Sequence, residues 1–309
     1  MKREIGWDNI QRDDTAVVTV GTFDGVHRGH QAILDYLLGR AERRHGTSTL
    51  LSFHPHPRSV VHDQDVPLLT TVEERARILE NIGLDRFVVV PFTTDFSELT
   101  AREYVRQVLV EGIGLQEIAV GYDHRFGQGR AGDVALLREM GEAHGFDVDV
   151  IPAHRVDDDV VSSSAIRDAV EAGDVDAARR LLGRPYRLSG TVERGEGRGR
   201  TLGFPTANLS VNPQKLIPAI GVYATSVDLP GGGTRPGMLN IGRRPTFDGM
   251  DVTVEVHLVD FDGDLYGHTL TVQFVQRLRD ERKFDSADDL AVQLSKDKQH
   301  CKRVTEAID

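Results

Sequence analysis

Only one of the 309 residues is a cysteine, Cys301. That excludes an intramolecular disulfide and any zinc or iron–sulfur centre built from several thiolates. Long apolar runs are also missing. No stretch approaches the length that spans a bilayer, and residues 1–8 hold no apolar segment of signal-peptide length, so a cytoplasmic location is expected. Basic residues are in deficit: 37 Lys and Arg stand against 48 Asp and Glu, a formal net charge of −11. Such a chain lacks the broad cationic surface by which proteins displace counterions from nucleic acids or coat anionic membranes. Small molecules are therefore the expected partners, with no nucleic acid and no membrane, for a monomer or weak homo-oligomer. The basic residues that exist are clustered, at Arg194, Arg198 and Arg200, at Arg243 and Arg244, and at Arg277, Arg279, Arg282 and Lys283. Each cluster suits a small anion.

The length favours two domains, and 39% apolar with 28% charged residues is ordinary for a folded soluble chain. From Thr15 to about Ile151, β-branched runs alternate with helical patterns, the rhythm of a parallel sheet covered by helices. Strands are expected near residues 15–21, 48–53, 86–90, 116–120 and 147–151, and helices near 29–44, 72–82, 101–112 and 133–144. Two shorter helices, near 163–172 and 174–182, end at Gly183 and Pro185, which sets the expected boundary between residues 1–183 and 184–309. Beyond it the pattern becomes short alternating strands broken by glycine and proline, with one helix near 286–308. A compact antiparallel β-barrel with a terminal helix is the expectation.

In a doubly wound sheet, ligands sit outside the carboxyl ends of the strands. After the first strand comes Gly21-Thr22-Phe23-Asp24-Gly25-Val26-His27-Arg28-Gly29-His30. Its glycines permit close backbone approach, and the helix that follows offers unpaired N–H groups to a phosphate. His27 and His30, three apart, share a helix face. The segment resembles the G-x-F-D-G-x-H-x-G-H signature of bacterial FAD synthetases, which are HxGH nucleotidylyltransferases. The resemblance implies ATP contacts at Gly21, Phe23, Asp24, His27 and His30, with the two histidines stabilising charge as pyrophosphate leaves. Three further loops fit the same family. Phe53-His54-Pro55-His56-Pro57, read as a stiff extended loop, is similar to its F-x-P-H-P pattern and implies a role for His56. Gly121-Tyr122-Asp123-His124-Arg125-Phe126-Gly127 is similar to G-x-D-F-x-F-G, departs from it at His124, and implies a flavin or nucleotide contact for Asp123. Ser162-Ser163-Ser164-Ala165-Ile166-Arg167 opens a helix and resembles the second phosphate element, implying Ser163, Ser164 and Arg167. The preceding aspartates, Asp157 to Asp159, read as a solvated acidic loop.

In the second half, the segment from Gly190 to Asn208 interleaves glycine with arginine, a composition able to fold over phosphates with N–H groups and guanidinium forks. It is no Walker loop, because G-x-x-x-x-G-K-[ST] occurs nowhere. Thr206 and Asn208, two apart on an extended segment, offer neutral oxygens to a hard cation. The segment is similar to the riboflavin kinase signature ending in L-G-F-P-T-A-N. By that resemblance Gly195, Arg200, Gly203, Pro205, Thr206 and Asn208 contact ATP, and Thr206 and Asn208 hold Mg²⁺. Glu255, in Val254-Glu255-Val256-His257-Leu258, matches the family's catalytic base, and Arg279, Glu281 and Phe284 match its flavin-contacting segment.

The fold class implied is α/β: a Rossmann-like nucleotidylyltransferase domain with a parallel sheet, then a riboflavin-kinase-type antiparallel barrel with a terminal helix. The implied function is bifunctional, with Mg²⁺ as the cation: riboflavin and ATP give FMN, then FMN and ATP give FAD and pyrophosphate. Two alternatives stand beside it. One is a kinase alone, with a first half that has lost adenylylation; the other is a flavin-binding barrel without turnover, attached to an unrelated nucleotidylyltransferase.

Overall fold

The computed structural model describes residues 1–152, 155–156, 159–195, 198–246 and 249–306. Asp157 and Asp158 of the acidic loop, Glu196 and Gly197 of the glycine–arginine segment, and the end of the terminal helix expected at residue 308 lie outside them. The chain divides into two compact units, Met1–Ser163 and Ser164–Asp309.

The first unit is built on a six-stranded parallel sheet. Its strands are β1 (Lys2–Ile5), β2 (Ala16–Val20), β3 (Thr47–His54), β4 (Arg86–Pro91), β5 (Leu115–Gly121) and β6 (Asp147–Ile151), ordered β1-β4-β3-β2-β5-β6. The central strand β2, Ala-Val-Val-Thr-Val, is buried along its whole length, as a strand covered on both faces must be. Alternate residues feed separate cores. Val18 and Val20 pack with Leu51, Val88, Tyr104 and Leu109 on one face, while Val17 packs with Leu34, Leu37, Leu50, Leu79 and Phe87 on the other.

The crossovers are α1 (Arg28–Arg44), α2 (Pro57–His62), α3 (Val72–Ile82), α4 (Thr94–Ser97), α5 (Ala101–Glu103) and α6 (Val134–His144). Thr71 and Glu74 form a capping box at the start of α3, and Gly83 ends it in the left-handed region. The expected helix over 101–112 begins as α5 and continues as a π-helix, Tyr104–Ile113. Two features differ from expectation. Strand β1 was not foreseen, because its one buried side chain is Glu4, which pairs inside with Arg86 of β4 at 2.7 Å. The loop after β3 is not extended throughout: Pro57 opens helix α2, where a missing N–H costs nothing. A short pair, β7 (Arg155–Val156) with β8 (Asp159–Val160), follows β6.

The second unit is a closed antiparallel barrel of β9 (Arg187–Glu193), β10 (Ala207–Val211), β11 (Gly221–Asp228), β12 (Thr234–Thr246), β13 (Gly249–Leu258) and β14 (Thr269–Arg279). Its interior is filled by Leu188, Val192, Leu209, Tyr223, Leu239, Val256, Leu270 and Phe274. Helices α7 (Ser163–Glu171), α8 (Val175–Leu182) and α9 (Arg198–Thr201) accompany it, and α10 (Ala287–Glu306) closes the outer face by packing Cys301 and Val304 on Ala224, Met238 and Val275. The unit division at Ser163 comes earlier in the chain than the boundary read at Gly183, because α8 packs on β14 and the Val170 carbonyl accepts from Ala219 N–H.

Candidate active sites

Between β2 and α1 the backbone turns sharply, with Phe23, Gly25 and Val26 all at positive φ. For a β-branched valine that conformation is strained, so something must hold it. Asp24 does. Its carboxylate is fully buried and accepts from Leu69 N–H at 3.0 Å, Thr70 N–H at 2.9 Å and the Thr70 hydroxyl at 3.0 Å. Arg75, also buried, donates to Ser52 Oγ and to the Thr22 carbonyl. Asp24 thus braces the loop from within.

His27 caps α1, its Nδ1 accepting from His30 N–H at 3.3 Å. With Nδ1 occupied as an acceptor, a neutral ring carries its proton on Nε2. The two imidazoles stack at 3.6 Å between centroids, and Phe23 stacks on His30 at 4.3 Å. A Cβ on Gly29 would sit 3.2 Å from the His27 ring, so glycine is what lets the rings close up. Ser163 donates its hydroxyl to the Asp24 carbonyl at 2.9 Å, joining the serine segment to this loop. Ser164 and Arg167 lie on α7, Arg167 one turn beyond Ser163.

Around the same sheet edge is a set of aromatic rings that pattern reading did not assign. Phe53 ends β3, Phe92 follows β4, and both meet Phe96 within 5.7 Å; Phe96 also meets Trp7 and Tyr104, and Tyr104 meets Phe126. Half-buried His124 stacks on Phe126 at 5.6 Å, and burial pushes its pKa down to about 4. It therefore behaves as a neutral aromatic ring. Asp123 beside it is exposed, and His56 caps α2 by accepting from Arg58 N–H at 3.1 Å.

The barrel site lies on the outer face of strands β10, β13 and β12. Because cross-strand partners point to one side, the register sets Asn208 of β10 directly opposite Glu255 of β13, and Glu255 opposite Asn240 of β12. Thr206 Oγ1 donates to Glu255 Oε2 at 3.0 Å. Thr206 and Glu255 are therefore on one side of the barrel wall, as the sequence reading requires. Asn240 is an addition: its sequence neighbourhood was visible, but only the register brings it to Glu255.

The glycines around this site sit where a side chain would meet close neighbours or the turn needs a positive φ. A Cβ on Gly195 would lie 2.0 Å from Asn208 Nδ2, and one on Gly199 would lie 2.2 Å from the Phe204 carbonyl oxygen. Gly203 turns the chain at φ 80° ahead of Pro205, and Arg200 is exposed. In the 279–284 segment, Arg279 donates to buried Asp297 of α10 at 2.9 Å and lies over the Phe284 ring, whose other near cation is Arg282. Glu281 reaches the backbone of β12 at Gly242. This segment is tied to α10 and β12 rather than hanging free.

Comparison with known proteins agrees with both halves. The FAD synthetase family model matches residues 9–165, and the riboflavin kinase family model matches residues 182–305. The chain is 42% identical over 282 residues to a bifunctional riboflavin kinase/FMN adenylyltransferase of Pseudomonas fluorescens, covering 91% of this chain and 90% of that one. It is 38% identical over 300 residues to the protein of the same name from Escherichia coli K12, covering 96% of each. A crystal structure described as a macrolide-efflux protein from Streptococcus pneumoniae superposes with a TM-score of 0.89 at 30% identity, covering 98% of this chain and 99% of that one. In the described residues no helix is long and apolar enough to cross a membrane. The chain, with both family regions in order on one polypeptide, belongs to the bifunctional riboflavin kinase/FMN adenylyltransferase family.

Proposed function

We propose that this chain converts riboflavin to FMN on the barrel and FMN to FAD at the parallel sheet, spending one ATP in each reaction. The observation that carries the kinase assignment is the contact of Thr206 with Glu255, with Asn208 across from it. An alcohol is a poor nucleophile, so phosphorylation gains from a base. Glu255 takes the proton of the riboflavin 5′-hydroxyl as its oxygen bonds to the γ-phosphorus and the bond to the bridging oxygen of ADP breaks. Thr206 directs its hydroxyl proton to Glu255, which leaves its oxygen lone pairs toward a cation. That oxygen and the Asn208 amide oxygen form a neutral, hard donor set fitting Mg²⁺, and the Asn208 amide takes up the room left by the missing side chain at residue 195. When bound, Mg²⁺ supplies charge neutralisation on the phosphates. Arg200 stands exposed for ATP, and Arg279, Glu281 and Phe284 form the flavin-side wall.

At the sheet, the nucleophile is the phosphate of FMN, largely dianionic near neutral pH because its second pKa is about 6. It needs no base. A phosphate oxygen bonds to the α-phosphorus of ATP and pyrophosphate departs. His27 Nε2–H and the His30 ring stabilise that departing charge, with Ser163, Ser164 and Arg167 as the second phosphate element. The aromatic rings at the ends of β3, β4 and β5, with Asp123 and His56 at the margin, suit a flat heterocycle. The partners are small molecules and the expected compartment is the cytoplasm.

Incubation with riboflavin, ATP and Mg²⁺, followed by separation of riboflavin, FMN and FAD, tests the assignment. Glu255→Gln should lower riboflavin phosphorylation by about 10²- to 10⁴-fold and leave FAD formation from supplied FMN intact. His30→Ala should lower FAD formation on the order of 10²-fold and spare the kinase. Equal losses of both reactions in either variant would refute the division of labour.

A further inference from the structure

Glu255 has a neighbour on its own strand that the mechanism above does not use. His257 lies two residues along β13, on the same side, and is 6% exposed. Its Nδ1 is 2.8 Å from the carbonyl oxygen of Pro205. A carbonyl only accepts, so a hydrogen sits on Nδ1, and burial holds the ring's pKa below its ordinary value, which favours the neutral tautomer with its lone pair on Nε2. That Nε2 is buried and meets no hydrogen-bond partner among the described residues. Phe204 holds the ring edge-on at 5.3 Å.

A histidine kept only to fill this space is a poor choice, because leucine would fill it without a buried acceptor. What leucine cannot supply is the Nδ1–H bond to Pro205. The peptide that follows that carbonyl is the N–H of Thr206. Thr206 is therefore pinned twice to one strand, through its hydroxyl on Glu255 and through the preceding carbonyl on His257. Pro205 has no N–H to pair elsewhere, and the turn before it closes on itself, with Phe204 N–H donating to the Gly199 carbonyl at 2.9 Å, so the Pro205 carbonyl is where the segment is tied to β13 ahead of Thr206.

We infer that His257 is a positioning residue of the kinase site, fixing the Pro205–Thr206 peptide to β13 so that Thr206 meets the phosphates while staying in register with Glu255. This rests on the assignment of Thr206 and Glu255 to phosphoryl transfer. Misplacing a group by about 1 Å costs on the order of 10²-fold in rate, so the anchor has kinetic weight although it touches no substrate.

The test compares three variants of the full chain in steady-state riboflavin phosphorylation with Mg-ATP. His257→Leu fills the space without a donor, His257→Asn places an amide N–H near the position of Nδ1, and His257→Gln places it near Nε2. His257→Leu should lower kcat roughly 30-fold or more with KM for riboflavin changed less than threefold, and His257→Asn should recover most of that loss. A purely structural histidine predicts a lower melting temperature with normal kcat per folded molecule. Retention of kcat within threefold in His257→Leu overturns the inference. Should that variant fail to fold, equal kcat for His257→Asn and His257→Gln overturns it. Glu255→Gln in the same assay separates the two failures: normal turnover there removes the underlying base assignment and this inference with it, whereas a large loss there beside normal His257→Leu removes this inference alone.

Discussion

Replacing His124 by phenylalanine should make the first unit less sensitive to acid, and the size of the effect follows from where the ring sits. Stacked on Phe126 and half-buried, His124 has its pKa pushed down from 6.5 to about 4, with burial the main cause and neighbouring Arg130 adding to it against Asp123. The unfolded chain binds a proton there near 6.5, and the folded chain refuses it until about 4. Stability therefore falls as pH falls through that window, the sign expected wherever the unfolded state holds more protons. At pH 5 the full shift amounts to about 2 kcal/mol relative to neutral pH, which partial solvent exposure trims to roughly 1 to 2 kcal/mol. For a unit of this size that is a drop of roughly 2–8 °C in melting temperature. The two proteins share every other ionisable group, so the comparison is the difference of differences: melting at pH 7.5 and pH 5.0, for the natural chain and His124→Phe. Phenylalanine keeps the stacked ring, so FAD formation should survive. Equal acid sensitivity in the two proteins, or a His124 Cε1 proton titrating near 6.5 by NMR, would refute the reasoning.

Two other consequences are direct. Gly195→Ala places a Cβ 2.0 Å from Asn208 Nδ2, so riboflavin phosphorylation should fall by an order of magnitude or more while FMN adenylylation is untouched; normal kinase activity would mean the 195 loop moves aside freely. Cys301 is fully buried on the barrel-facing side of α10, its thiol donates to the Gly237 carbonyl at 3.2 Å, and burial raises its pKa to about 11. It should resist iodoacetamide at pH 8 until the barrel unfolds, and rapid labelling of the folded protein would contradict this packing.

The parts of the fold that sequence displayed are those where one local rule decides. The β-branched run of β2 and the capped, periodic helices α1, α3 and α6 needed no long-range information. Strand β1 was invisible because its buried residue is an ionised one, and only the distant Arg86 makes burial of Glu4 tolerable. The site shows the same division. His27, His30, Thr206 and Glu255 stand in compact motifs, and it is the resemblance of those motifs to two known families that named them. Asp24 also stands in a motif, yet its carboxylate turns inward to the backbone of Leu69 and Thr70, a partnership that spans a whole crossover. Asn240 and the rings of Phe53, Phe92 and Phe96 come together only through strand register and sheet order, which no local window contains.

The two sites answer the same electrostatic problem with opposite means. Among the described residues no group of three His, Cys, Asp or Glu side chains could hold a metal ion. On the barrel the candidate cation ligands are a hydroxyl and an amide, which bind a hard ion weakly by themselves, so its affinity must come mainly from the phosphates of ATP. Metal and nucleotide then arrive as one ligand, and in the proposed mechanism Glu255 stays available as a base instead of being consumed as a ligand. At the sheet, where the nucleophile is already an anion, a carboxylate facing the phosphates would only repel it. The one carboxylate in that loop, Asp24, is turned into the interior, and beside it at the helix start stands a pair of stacked imidazoles, His27 buried and His30 half-buried. In the proposed mechanism the placement of two acidic side chains, Glu255 at the barrel surface and Asp24 withdrawn behind the loop, thus follows from whether the attacking oxygen must lose a proton.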